Sequence, residues 1–201
     1  MISSKLSSTT VQVHSDDLGK RDIDGLFEEH KLILGNYADI SFPIKFRQVY
    51  GKKLQDILDT GWPSLFLISE KMKAVLENNN LTGWKSYDIK VFDMLGLEIK
   101  GYFGFSVTGR CGPIDYSKSE IIEKRLVDKG PLVKYYRGLH VGLNEWDGSD
   151  FFLPEKYFGV IITQKAAETI KKSNLTNIRL ENIAEIEMDD YTVQVAMRLA
   201  H

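Results

Sequence analysis

At 201 residues the chain can form one large domain that buries roughly 70% of the surface of its unfolded form, so it needs neither disulfides nor metal to fold. Hydrophobic residues make up 43% and charged residues 27%, as in soluble globular proteins, and 26 basic against 28 acidic residues leave a net charge of -2. That balance argues against a dedicated nucleic-acid binder, which carries a basic excess, and no stretch approaches the ~20 apolar residues of a membrane span.

The first seventeen residues hold no apolar run of signal-peptide length, which together with a single cysteine predicts the reducing cytoplasm. The first twenty are polar and read as partly disordered. His14, His30, His140 and His201 are scattered, without metal-ligand spacing, so neither a metal nor a cofactor is expected. Residues 43–50 read as a strand, and residues 54–60 as a short helix stopped at Gly61.

From residue 64 the chain repeats itself. Residues 64–91 align with 158–185 at an offset of 94: Ile68 meets Ile162, Ser69 meets Thr163, Lys71 meets Lys165, and Asn80-Leu81-Thr82 meets Asn174-Leu175-Thr176. Each copy reads as strand, helix, strand. The apolar strand ends in a hydroxyl residue that can cap the first free amides of a helix. Met72, Val75 and Leu76 give the first helix an apolar stripe, and Ala166, Thr169 and Ile170 a weaker one in the second. Asn80 and Asn174 stand where a left-handed residue would end each helix. Both Asn-Leu-Thr triplets match the glycosylation sequon, and the helix-stop reading is preferred to it.

Between the copies, alternation over 87–91 and 97–107 predicts a hairpin, with Gly101 and Gly104 marking a bulge or a close backbone approach. Residues 121–127 suit a strand or a helix, and 132–141 look extended. The expected fold is α+β: mostly antiparallel sheet with a few packed helices and an internal strand-helix-strand duplication, in a single domain over 1–201.

Cys111, between Arg110 and Gly112-Pro113, is the one thiol. A nucleophilic cysteine needs a lowered pKa, a base within reach and an oxyanion site. Arg110 could lower the pKa, amides near Gly112 could hold an oxyanion, His140 could serve as base, and Asp115 or Asp147 could orient it. Against this stands the ordinary reading of a buried small hydrophobe, which is preferred. The adjacent carboxylates at Asp16-Asp17, Glu28-Glu29 and Asp189-Asp190 read as solvated surface, and no glycine-rich phosphate loop is present. Trp62 and Trp84 read as packed against the core. Trp146, with Asp147 beside it, is the candidate exposed anchor, and Glu181, Glu185, Glu187, Asp189 and Asp190 form an acidic stripe that could face a basic partner.

Several of these motifs together resemble a known family. They are Leu54-Gln55-Asp56-Ile57, Trp62-Pro63-Ser64, Leu67-Ile68-Ser69-Glu70-Lys71, Leu81-Thr82-Gly83-Trp84, the run from Gly109 to Asp115 with Lys118-Ser119, and the run from Trp146 to Phe152. The family is the eleventh immunity-protein family of bacterial polymorphic toxin systems, and the similarity spans about residues 54–187. The resemblance implies a cytoplasmic protein, not an enzyme, that binds and neutralises a cognate toxin encoded nearby. Partner contacts are then expected at Trp146, Asp147, Glu185, Glu187, Asp189 and Asp190, with a cysteine hydrolase or transferase using Cys111 and His140 as the alternative.

Overall fold

The structure, a computed structural model, describes the chain except residues 6, 21–26 and 200–201 and the side chains of 195–199; His201 thus lies outside it. The first half runs β1 (Ile2–Ser4), β2 (Gln12–His14), α1 (Glu28–Leu34), β3 (Ile44–Tyr50), β4 (Ile57–Asp59), β5 (Phe66–Ser69), α2 (Glu70–Asn78), β6 (Trp84–Tyr87), β7 (Ile89–Phe92) and β8 (Glu98–Ile99). The second runs β9 (Tyr102–Val107), β10 (Gly109–Ile114), β11 (Glu120–Arg125), β12 (Leu132–Arg137), β13 (Val141–Gly142), β14 (Phe151–Pro154), β15 (Ile161–Ile162), α3 (Gln164–Lys172), β16 (Ile178–Leu180), β17 (Glu187–Asp189) and α4 (Asp190–Leu199). Most strand pairs are antiparallel, and the class is α+β.

The duplication is visible in the pairing. In the first copy β4 pairs β5 with Ile57 opposite Ile68, and 94 residues on β14 pairs β15 with Phe151 opposite Ile162. It also reaches beyond the aligned segments. Phe105 of β9 lies opposite Phe66 and Ser86, and Ile2 of β1 lies opposite the equivalent Val160 and Leu180. β2 runs parallel to β4 just as β10 runs parallel to β14, with Gln12 at Asp59 and Arg110 at the equivalent Leu153. The chain is therefore two copies of β-β-β-β-α-β that exchange their first strands: β1 completes the second copy and β9 the first.

Polar contacts repeat the exchange. Asp56 accepts from Ser69 Oγ at 2.7 Å, and from Thr176 N and Oγ1 of the other copy at 2.8 Å each. Asp150 accepts from Thr163 Oγ1 at 2.8 Å, and from Thr82 N and Oγ1 at 3.0 and 3.4 Å. Lys71 reaches the Asn174 carbonyl at 3.0 Å, and Lys165 the Asn80 carbonyl at 3.4 Å. Each Asn-Leu-Thr triplet thus delivers a threonine to the opposite copy's aspartate. The helix-stop reading holds as well: Asn80 and Asn174 both have φ of 48°. Ser69 and Thr163 cap α2 and α3 by accepting from Met72 N and Ala166 N.

Met72 and Leu76 of α2, and Ala166 and Ile170 of α3, are buried against the sheets, each large side chain contributing about 2 kcal/mol. The eight-stranded sheet has the order β6-β9-β5-β4-β2-β3-β7-β8. Its first and seventh strands are joined through Asp88 alone, so the sheet must curl back on itself around Phe46, Leu67, Val91 and Phe105.

Several local expectations change. Residues 54–60 do not form a helix; Ile57 and Leu58 are fully buried in the interior strand β4, where a three-residue apolar run has no period to read. The alternation at 87–91 is split at Asp88 into β6 and β7. The predicted hairpin is only β7–β8, because at Gly101 (φ 81°) the chain leaves to pair β9 with β5 and β6. Gly104 is the close approach: a Cβ there would lie 2.0 Å from the Tyr87 ring. The polar first twenty residues supply β1 and β2, through buried Ile2, Val11 and Val13. Residues 121–127 resolve as strand β11 followed by a turn.

Each copy carries its own inserts. In the first, α1 and β3 follow β2, and β7–β8 follow β6. In the second, β11 to β13 follow β10, and β17 with α4 follow β16.

Candidate functional site

Cys111 lies on β10 and is buried, packed with Phe152 and Ile161. Burial, reinforced by the Asp147 and Glu145 carboxylates, pushes its thiol up to about 11. The Arg110 guanidinium does not turn toward the thiol. It donates to the carbonyls of Val107 at 2.7 Å and of Gly109 and Leu34 at 2.8 Å, so it closes the carboxyl end of α1. His140 is exposed, and among the described residues no hydrogen bond joins it to Cys111. Beside Gly112 lies the Glu145 carboxylate, the wrong charge for an oxyanion site. Asp115 is held by Ser117 and Lys118, and Asp147 by the backbone amides of Arg110 and Ser149. The thiol is thus packed among apolar side chains and raised above its ordinary value.

The tryptophans divide as the packing argument expects. Trp62 meets His30 edge to face and Phe27 at a tilt, and Trp84 stacks on Phe105 while its indole N–H donates to the Leu81 carbonyl at 2.7 Å. Trp146 is 37% exposed, its ring tilted against Phe152 and its N–H bonded to Ser149 O at 3.1 Å.

The acidic stripe is largely engaged by the chain itself. Glu187 bonds Lys124 and Arg137, which hold its carboxyl below the ordinary value. Asp189 caps α4 through Thr192 at 2.9 Å, and Asp190 pairs with Lys134 at 3.5 Å. Glu181 pairs with Arg179 at 2.7 Å, and Glu185 accepts from Asn182 at 3.3 Å. Glu187 with β12, β17 and α4 forms one face, while Trp146 and Asp147 sit at the end of β10 near β14. The two groups lie on different parts of the second copy's inserts.

An aromatic cleft of about 610 Å³ is lined by Trp62, Phe66, Tyr157 and Phe158 with Asp59 and Arg179. Asp59 already accepts from Ser4 Oγ, Gln12 Nε2 and Gly61 N, so its charge is committed to holding β1, β2 and β4 together.

The exposed apolar surface is informative. Among the described residues fourteen large hydrophobic side chains are exposed, and none lies in the duplicated units. Phe42, Val49, Tyr50, Leu54, Met94, Leu95 and Leu97 belong to the first copy's inserts. Ile121, Leu126, Val127, Leu132, Leu143, Trp146 and Tyr191 belong to the second's. The duplicated core closes on itself, and the exposed apolar surface of the described residues lies on the inserts. Sequence reasoning placed a hairpin here but passed over the exposed Met94, Leu95 and Leu97 at its tip; the signal was an apolar run where polar residues are usual.

Fold and surface together define a duplicated α+β chain with a self-contained core and inserts that carry the exposed large apolar side chains of the described residues. The model of the Immunity protein family (Imm11) matches residues 9–185, most of the chain, and the protein belongs to that family. A search of the curated proteins finds no match. The family match begins well before residue 54, so β2, α1 and β3 belong to the family fold.

Proposed function

We propose that this immunity protein binds a cognate protein toxin, encoded nearby and acting in the same cytoplasm, and neutralises it by covering a functional surface. The observation that carries this reading is the confinement of exposed apolar side chains to the inserts of a closed, duplicated core. Occlusion requires complementary shape and charge and no nucleophile, which agrees with a buried, protonated Cys111. Trp146 and the exposed Glu185 are retained as contact candidates, with Asp147, Glu187, Asp189 and Asp190 holding the shape of their surroundings.

The test is a calorimetric titration of the protein with the toxin-like product of the adjacent gene, wild type beside Cys111→Ala. A nanomolar dissociation constant, about -12 kcal/mol, unchanged by the substitution, is the expected result. If no adjacent product binds, the proposal falls.

A further inference from the structure

Three cations on the first copy's inserts, Lys45, Arg47 and Lys90, lie close together on one sheet face. On β3, Ile44 and Phe46 face the core while Lys45 and Arg47 face outward; on β7, Val91 faces in and Lys90 out. The parallel register sets Lys45 beside Lys90 and Arg47 beside Phe92, so the three cations share one sheet face. All three are exposed, and among the described residues none is in an ion pair. Glu98, opposite Phe92, is an acid on this face, and Asp17 lies at its rim, accepting from the Lys45 backbone N–H at 3.0 Å. In the second copy, by contrast, Lys124, Lys134 and Arg137 are paired with Glu187, Asp190 and Glu120.

At the end of the same face stands the β7–β8 turn. Met94, Leu95 and Leu97 are 68%, 85% and 66% exposed, yet the turn beneath them is tightly held. Asp93 Oδ1 accepts from Leu95 N and Leu97 N at 2.8 Å each, Asp93 N donates to Leu97 O at 2.8 Å, and Gly96 supplies φ of 83°. An apolar knob already fixed in shape loses little freedom when it docks.

We infer that Lys45, Arg47 and Lys90, with the turn carrying Met94, Leu95 and Leu97, form the docking face for an acidic protein surface that has an apolar recess. This rests on the proposed antidote function and names the chemistry of its partner: the toxin's contact face is acidic. The charge complementarity is the reverse of that expected from the acidic stripe, whose Glu181, Glu187 and Asp190 are paired within the chain. The apolar turn favours a protein over a polyphosphate, which has nothing to receive Leu95.

The experiment uses the full chain and the adjacent-gene toxin. Dissociation constants are measured at low and high salt for wild type, the combined Lys45→Glu/Arg47→Glu/Lys90→Glu variant, Leu95→Asp and Trp146→Ala. All these sites are on the surface, and circular dichroism verifies the fold. The inference expects about 100-fold weaker binding and a flattened salt dependence for the triple variant, with at least about 10-fold loss for Leu95→Asp. Wild-type binding that neither change weakens, or that only Trp146→Ala weakens, overturns this inference and leaves the antidote function standing. No wild-type binding overturns both. A parallel flotation assay with phosphatidylserine vesicles covers the other chemistry: vesicle capture lost in the same variants, with toxin binding intact, assigns the face to a membrane and also overturns it.

Discussion

Asp56→Ala is expected to cost about 3–5 kcal/mol. Removing the carboxylate strands three donors, Ser69 Oγ, Thr176 N and Thr176 Oγ1, at a position only 8% exposed. It also loosens the cap of α2 and frees one copy's loop from the other. Asp150→Ala should cost less, because its Thr82 contacts are longer, at 3.0 and 3.4 Å. Its closer ammonium, Lys165 at 3.2 Å, is 58% exposed and screened, so it compensates little. In urea or thermal unfolding the Asp56 variant should melt roughly 10 °C lower. A shift under about 1 kcal/mol would show that the exchange between copies is not held by these aspartates.

The same groups set the acid limit. Burial alone would raise the Asp56 carboxyl, but donations from Ser69 and Thr176 and the nearby Lys71 outweigh it, and the group lies below its ordinary value. Asp150 is lowered in the same way, with Thr163, Thr82 and Lys165 outweighing burial. Groups depressed in the folded state give stability that is fully present above the unfolded pKa near ~3.9. That stability is lost as pH falls through the folded values. Wild type should therefore lose stability below about pH 4, and Asp56→Ala should flatten that acid slope.

Gly83→Ala is expected to be comparably severe, at about 3 kcal/mol or more. Gly83 has φ of 81°, which L side chains rarely adopt, and a Cβ there would lie 2.1 Å from the Phe151 carbonyl oxygen. That oxygen is backbone of the other copy and cannot swing aside. The Gly83 carbonyl meanwhile accepts from Thr108 N at 2.8 Å and Gly109 N at 3.2 Å, so the loop cannot retreat without breaking them. In the second copy Asn177 takes the equivalent place with φ of 61° and bonds Ile57 O through its side chain at 2.8 Å. Asn177→Gly should accordingly be much milder than Gly83→Ala in the same unfolding assay. Equal melting temperatures for Gly83→Ala and wild type would contradict this crossing of the copies.

How much of this the sequence announced follows from where each copy is constrained. Ser69 and Thr163 as caps, and Asn80 and Asn174 as left-handed stops, were legible because helix ends have local chemistry. The aspartate clamps were not, since Asp56 and Asp150 act across about 120 and 68 residues of chain, though they too stand 94 apart. The exchange of β1 and β9 was hidden because β1, at three residues, leaves no period, and because α1 with β3 replaces β11 to β13 in the copies and shifts the offset. At the candidate site, the burial of Cys111 was anticipated from its residue type. The neutralisation of Glu187 and Asp190 was not, since Lys124 and Lys134 come from a different hairpin. The cations on β3 and β7 looked like ordinary alternation, and only the parallel pairing of two strands distant in sequence put Lys45 beside Lys90.

The proposed function is to occupy the target and do no chemistry on it. The direct measurement is the toxin's own activity, titrated with increasing amounts of the protein and followed over time. Occlusion predicts a linear fall to zero at about one equivalent, complete on mixing and reversed when the complex is separated, as nanomolar binding requires. Progressive inactivation by a small fraction of an equivalent, or toxin that stays inactive after the protein is removed, would mean turnover and would contradict it.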